Sequence, residues 1–174
     1  MVFKEIYHEH KNIVYNLALQ YTQNSEDAEE ITQDVFISVH EKLHTFQHQA
    51  NIKTWIYRIA INKSLDFIKT KRRQKRFGFV ISLFKNDGES SHLEIPVMSH
   101  PGIEMENKEQ LEILFNAINK LPDQQKTALI LLKIDQKSQK EVAEIMEISA
   151  KAVESLFQRA KENLKSYLQQ NEGR

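Results

Sequence analysis

Two runs of residues have the types and spacing to contact nucleic acid. Lys69, Lys71, Arg72, Arg73, Lys75 and Arg76 form a basic block with no acid among them. At a helix end such a block suits phosphate contact, although a solvated, tapering helix end has the same composition. The second run, Ser138 to Arg159, reads SQKEVAEIMEISAKAVESLFQR. Ser138 with Glu141 three residues on is a capping box, which opens a short helix with Val142, Ala143, Ile145 and Met146 on its apolar face. The pattern breaks near Glu147 and Ile148, where Ser149 can cap a second helix. Ala152, Val153, Leu156, Phe157, Ala160, Leu164 and Leu168 then recur at helical spacing. Two short helices packed at a steep angle leave the first turns of the second free to enter a major groove. Read alone, the stretch also fits a helical hairpin of any other use.

Other chemistries find less support. His40, His44 and His48 are spaced four apart, as metal ligands on one helical face can be. The helix is expected to end between Leu43 and Thr45, which takes His48 off that face, and no carboxylate completes a set; no metal or cofactor is implied. No paired-carboxylate, nucleophile–base or glycine-rich phosphate pattern points to an enzyme. The absence of Cys excludes disulfides and thiolate metal sites.

The elements that must position these residues read as all-α. Among 174 residues there are only four Gly and three Pro, and long stretches free of both are dense in Leu, Ile, Lys, Glu and Gln. One helix is expected from about Val2 to Tyr21, with Phe3, Ile6, Tyr7, Ile13, Val14, Leu17, Ala18 and Tyr21 on one stripe. Ser25 is the expected cap of a second, whose first turn holds Glu26, Asp27 and Glu29, where the helix dipole favours acids. It continues through Ala28, Ile31, Val35, Val39 and Leu43. A third, from about Ile52 into the basic block, carries Trp55, Ile56, Ile59, Ala60, Leu65 and Ile68. From Gly78 to about Glu106 the periodicity fails, and Phe79 to Phe84 is open to a short strand or a docked segment. Helices resume near Lys108, and another starts at Leu121-Pro122-Asp123 with Pro at its first position. Ala128 to Leu132 is apolar on all sides and should be buried.

The chain's formal net charge is zero, yet it is unevenly spread: +3 over residues 1–76, −4 over 77–110 and +1 over 111–174. The expected organisation is two small helical domains, 1–76 and 108–174, joined by an acidic, flexible linker at 77–107 that lets them move independently. No segment approaches the roughly 20 apolar residues of a membrane span. A soluble, cytoplasmic protein without membrane insertion is expected.

Two separated stretches resemble one family. DAEEITQDVFISVHEKL (Asp27 to Leu43), followed by Phe46, WIYRIAIN (Trp55 to Asn62) and a basic tail, resembles the second conserved domain of bacterial sigma factors. LPDQQKTALILLKID (Leu121 to Asp135) with the helix-turn-helix resembles their fourth domain, and no equivalent of the third lies between. The chain is therefore similar to the extracytoplasmic-function (ECF) type, the smallest sigma factors. The resemblance implies a non-catalytic protein that binds core RNA polymerase, directs it to promoter DNA and helps melt it. A helix-turn-helix regulator that acts without core polymerase is the alternative, and would bind duplex DNA alone.

The resemblance also assigns residues. Gln33, Asp34, Phe36 and Ile37 match the helix that docks on the polymerase clamp; Phe36 and Ile37 lie off the main apolar stripe, so they form either a mixed exposed surface or a wider core face. Phe46 to Thr54 matches the loop that captures a base flipped from the minus-ten element. Phe46 and Asn62 would shape and line that pocket, Arg58 and Lys63 would hold nearby phosphates, and Lys69, Arg72, Arg73 and Arg76 extend the basic surface. Trp55 matches a family tryptophan, although its spacing with Ile59 favours packing.

On the recognition helix, many relatives have Gly-Thr-Val-Lys/Arg-Ser-Arg where this chain has Lys151-Ala152-Val153-Glu154-Ser155-Leu156. Glu154 either accepts from a cytosine N4 in the minus-thirty-five element or faces solvent and pairs along its own helix. Ser155, Gln158 and Arg159 lie beside it, and Lys151, Arg159 and Lys161 are the candidate phosphate contacts. Glu147 stands where relatives often have Gly, which strains the expected turn. The family further implies an anti-sigma factor, often membrane-anchored, as a partner.

Overall fold

The structure, a computed structural model, describes residues 2–46, 51–84 and 105–172, with side-chain surroundings for 2–46, 51–74 and 110–170. It is all-α. The N-terminal bundle comprises α1 (Phe3–Thr22), α2 (Ser25–Lys42), a 3-10 turn (Leu43–Thr45) and α3 (Ile52–Phe84). The C-terminal bundle comprises α4 (Met105–Lys120), α5 (Asp123–Leu129), a π turn (Ile130–Ile134), α6 (Gln139–Met146) and α7 (Ala150–Glu172).

Local chemistry explains where these helices begin and end. Gln23 takes a left-handed conformation (φ 57°) after α1. Asn24, rather than the expected Ser25, caps α2: its side chain accepts from the Asp27 N–H at 2.8 Å. Pro122 likewise falls just before α5 instead of on its first position. Ser138 and Glu141 form the expected capping box on α6: Glu141 N–H donates to Ser138 Oγ at 3.2 Å, and Ser138 N–H donates to Glu141 Oε2 at 2.8 Å. The hydrogen bonds from Ser138 hold the Glu141 carboxyl below its usual pKa. Ser149 Oγ accepts from the Ala152 N–H at 3.1 Å and opens α7. Between them Glu147 does what a glycine does more cheaply, turning the chain at φ 56°, ψ 40°.

One expectation changes here, and the structure adds one feature. The α3 backbone remains helical through Gly78 as far as Phe84, with no break after the basic block. The two bundles also lie against each other. Ile130, Leu131, Val142, Ile145 and Val153 join the same apolar cluster as Ile6, Val14, Leu17, Ile31, Val35, Ile56 and Ala60. A smaller cluster of Ile118, Leu121, Leu129 and Ala160 holds α4, α5 and α7 together. In this structure the domains are thus docked through continuous apolar packing. The π turn adjusts the seam: Asp135 N–H donates five residues back to Ile130 O at 3.0 Å, and Lys137 N–H reaches Leu131 O at 2.9 Å.

Within the N-terminal bundle His10 is 3% exposed, and neither ring nitrogen has a hydrogen-bond partner. Burial holds its pKa below the ordinary value, against the opposing pull of Glu9 and with help from Lys53. The unfolded chain therefore binds a proton more readily at this position than the folded chain. Its contribution to stability is present above the unfolded value of about 6.5 and is lost as pH falls toward the lower folded value. Urea unfolding should show stability declining as pH drops below neutrality, and His10→Leu should flatten that decline. Separately, Ser138→Ala should lower stability by about 1 kcal/mol through loss of the cap, read as a shift in urea midpoint without a change in slope.

Candidate nucleic-acid interface

The candidate recognition face is built by α7. Val153 and Ala160 are buried, and their spacing turns Lys151, Glu154, Ser155, Gln158 and Arg159 to solvent. Gln139 Nε2 donates to Ala150 O at 2.9 Å and ties the start of α6 to the start of α7. Ser155 Oγ donates back to Lys151 O at 3.0 Å. Among the described residues the Glu154 carboxylate has no cation within ion-pair distance, so pairing with Lys151 is not what holds it. Lys161 packs its ammonium over the Phe157 ring, 5.3 Å from the centroid.

On α2, Gln33, Asp34 and Ile37 are exposed, Ile37 at 56%. Phe36 is not: it is 4% exposed, packed edge-on against Phe3 and Tyr7 with centroids 6.4 and 4.8 Å away. Its ring widens the core face and leaves Ile37 as the accessible apolar residue of this strip. His40 packs edge-on against Phe3 at 5.0 Å. After it α2 ends at Lys42 and the 3-10 turn changes the helical phase; His48 lies outside the described residues.

Phe46 and Trp55 meet at 5.1 Å with tilted rings. Both are half-buried, and Trp55 packs against the main core, so the segment between them, of which 47–50 lie outside the described residues, springs from an aromatic pair. Two turns further along α3, Asn62 is exposed in a small cleft lined also by Arg58, Asp123, Thr127 and Glu147. Lys63 is half-buried on the same helix.

The remaining cations of α3 are largely engaged. Arg58 closes the end of α6: Nη2 donates to Glu144 O at 2.7 Å, Nε to Ile145 O at 3.3 Å, and Nη1 pairs with Glu147 Oε1 at 2.9 Å. A guanidinium there meets the negative end of the helix dipole and the carboxylate of the strained turn residue together. Lys69 pairs with Asp123 at 2.9 Å, and the hydrogen bond to that carboxylate raises the ammonium pKa. Arg72 Nη2 donates to Asn119 O at 2.6 Å. Lys71 pairs with Asp27 of its own bundle. Arg73 reaches only Thr70 Oγ1, at 3.5 Å. Arg76 is on the helical backbone of α3, with its side chain outside the described residues.

The sequence reading missed the residues that complete this seam. Tyr21 Oη donates to Thr127 Oγ1 at 2.7 Å, both side chains buried. Asp135 accepts from Gln20 Nε2 at 3.1 Å and from Tyr57 Oη at 2.6 Å. Burial, then the carboxylate, raises the Tyr57 phenol pKa, so it stays a donor. Lys126, 1% exposed, donates to Asn119 Oδ1 at 3.2 Å. Burial and the nearby Arg72 lower its pKa to about 8, against the pull of Asp123. The one available signal was Lys126 itself, a cation two residues before the apolar run Ala128 to Leu132.

Comparison with known proteins agrees with this geometry. The family described as Sigma-70 region 2 matches residues 6–74, and Sigma-70, region 4 matches residues 111–164. The ECF RNA polymerase sigma factor SigM of Bacillus subtilis (strain 168) is 28% identical over 168 residues, covering 95% of this chain and 94% of that protein. The ECF RNA polymerase sigma-E factor of Haemophilus influenzae is 28% identical over 161 residues, covering 92% and 84%. Among solved structures, the sigma factor RpoE in complex with the anti-sigma factor NepR from Bartonella quintana aligns with a TM-score of 0.62 at 23% identity, covering 96% of both chains. CnrH in complex with the cytosolic domain of CnrY aligns at 0.64 and 20% identity, covering 96% of this chain and 87% of that one.

That last assembly corrects one expectation. CnrH is bound there by the cytosolic domain of its partner, so a purely cytoplasmic description does not suit such a complex and is set aside for this chain. What stands is that no helix among the described residues is long and apolar enough to cross a membrane. With regions 2 and 4 matched in order and both bundles built as helices, the chain belongs to the extracytoplasmic-function family of RNA polymerase sigma factors.

Proposed function

We propose that this chain, as an ECF sigma factor, divides its work between residues 1–76 and 108–174, with 77–107 connecting them. It binds core RNA polymerase and directs promoter recognition, and it carries out no catalysis itself. The observation that best supports the residue assignment is the unbroken solvent face of α7, Lys151, Glu154, Ser155, Gln158 and Arg159, behind a capped turn.

In this reading α7 enters the major groove of the minus-thirty-five element, with Lys151 and Arg159 on phosphates and the unpaired Glu154 accepting from a cytosine N4. The exposed strip Gln33, Asp34 and Ile37 docks on the polymerase, with Phe36 supporting it from beneath. Phe46 and Asn62 frame the pocket for a flipped minus-ten base. Arg58, Lys63, Lys69, Arg72, Arg73 and Arg76 track the strand's phosphates. An anti-sigma factor is the expected inhibitory partner, by likeness to neighbours bound to NepR and CnrY.

Run-off transcription with purified core polymerase on a pool of host promoters tests the reading. Specific transcripts should appear only with the protein present, and failure both to transcribe and to co-elute with polymerase would favour a stand-alone regulator. On those promoters Arg159→Ala should weaken binding across sequences and reduce the salt slope of log K by about 1. Glu154→Ala should instead relax preference at one cytosine position, by about 1–3 kcal/mol of discrimination. An unchanged preference would refute that contact.

A further inference from the structure

Three of the α3 cations assigned to promoter phosphates are already held by the C-terminal bundle. Arg58 binds Glu147 and two carbonyls of α6, Lys69 binds Asp123 of α5, and Arg72 binds Asn119 O of α4. Asn62, the candidate pocket residue, faces Asp123 and Glu147 across the same cleft. The buried Tyr21–Thr127 hydrogen bond and the double acceptor Asp135 secure the seam on either side. The recognition face of α7, by contrast, is open to solvent from Lys151 to Arg159.

Resting on the assignment of α3 to single-stranded promoter DNA, we infer that the chain masks itself on one side. Its own α4–α6 segment, residues Asn119 to Glu147, occupies the phosphate-binding surface of α3, and the two bundles must part before the minus-ten strand can bind, whereas α7 needs no such release. Glu147 and Asp123 act as stand-in anions. Arg58 has its Nε, Nη1 and Nη2 donors committed, and Lys69 and Arg72 each give a donor to the C-terminal bundle, so a phosphate must displace those groups to take all three cations. Glu147 is the most specific part of the device. A glycine there would make the turn without strain and supply no carboxylate, so the residue that costs the turn about 1 kcal/mol is also the one that holds Arg58.

The native chain contains no Cys, so a lock can be added without side reactions. Gln20→Cys with Asp135→Cys, two residues in contact across the seam and outside the proposed DNA and polymerase surfaces, is treated with a short reducible crosslinker. The probes are a labelled single-stranded DNA of random sequence, roughly 12 nucleotides long, and a duplex carrying the minus-thirty-five region of a transcribed promoter. The crosslink should form in high yield. The locked protein should bind the single strand at least about tenfold more weakly than the same protein after reduction, the factor expected when nine-tenths of chains are closed, while duplex binding stays level. The converse variant, Asp123→Asn with Glu147→Gln, should bind the single strand more tightly than wild type and again leave the duplex unchanged. Equal single-strand affinity before and after reduction would overturn self-masking. Run-off transcription by the wild-type chain tests the sigma reading by itself, so its failure is distinguishable from failure of the lock.

Discussion

A tyrosine hydroxyl buried in an apolar core must find a hydrogen-bond partner or lose the interaction it had with water. Tyr21, 1% exposed at the end of α1, finds Thr127 on α5, more than a hundred residues away in sequence. That requirement fixes where the two bundles meet. Once α5 lies on the end of α1, the π turn brings Asp135 to Gln20 and Tyr57, and α6 is laid along α3 where Arg58 can close its last turn. The apolar surfaces supply most of the free energy of the seam, but they are non-directional. The buried polar pairs choose the register.

The same register decides the electrostatics. A chain with zero net charge binds nucleic acid only through local fields, and its cations are concentrated on α3 and α7. On α7 Lys151 and Arg159 have no ion-pair partner among the described residues. On α3 they meet a carboxylate at the turn after α6, another at the start of α5, and backbone carbonyls at the C-terminal ends of α4 and α6, where the helix dipole leaves partial negative charge. The interface between bundles is therefore complementary in charge as well as shape, and it offers α3 the same chemistry as a nucleic-acid backbone, anionic oxygens at close spacing.

Much of this was legible in the chain. The capping box of Ser138 and Glu141, the Ser149 cap and the apolar stripes of α1 and α2 are local signals, set by groups within a few residues of each other, and they appear in the structure as read, except that on α1 Tyr7 is exposed and His10 is buried. The candidate DNA face of α7 follows from the same periodicity. What sequence could not supply was anything decided between the bundles. Phe36 lies off the stripe, yet Phe3 and Tyr7 cover it from the neighbouring helix. Arg58 reads as a phosphate ligand in either state, and only the fold shows the carboxylate it holds. Asn24 took the cap expected of Ser25 because both are competent and the choice depends on backbone angles one residue apart. The continuation of α3 to Phe84 defied a glycine that is costly in a helix but not prohibitive.

A π turn is an α-helix with one residue too many for its ladder. Between Ile130 and Ile134 that surplus residue rotates everything after it by about 100° relative to a regular helix, and Asp135 meets Tyr57 because of it. Deleting a single residue here would leave every side chain of the seam chemically intact and turn the carboxylate away from its partners. The attachment of the two bundles is thus written partly in chain length, in the gap column of an alignment, where a comparison that scores substitutions alone would not look for it.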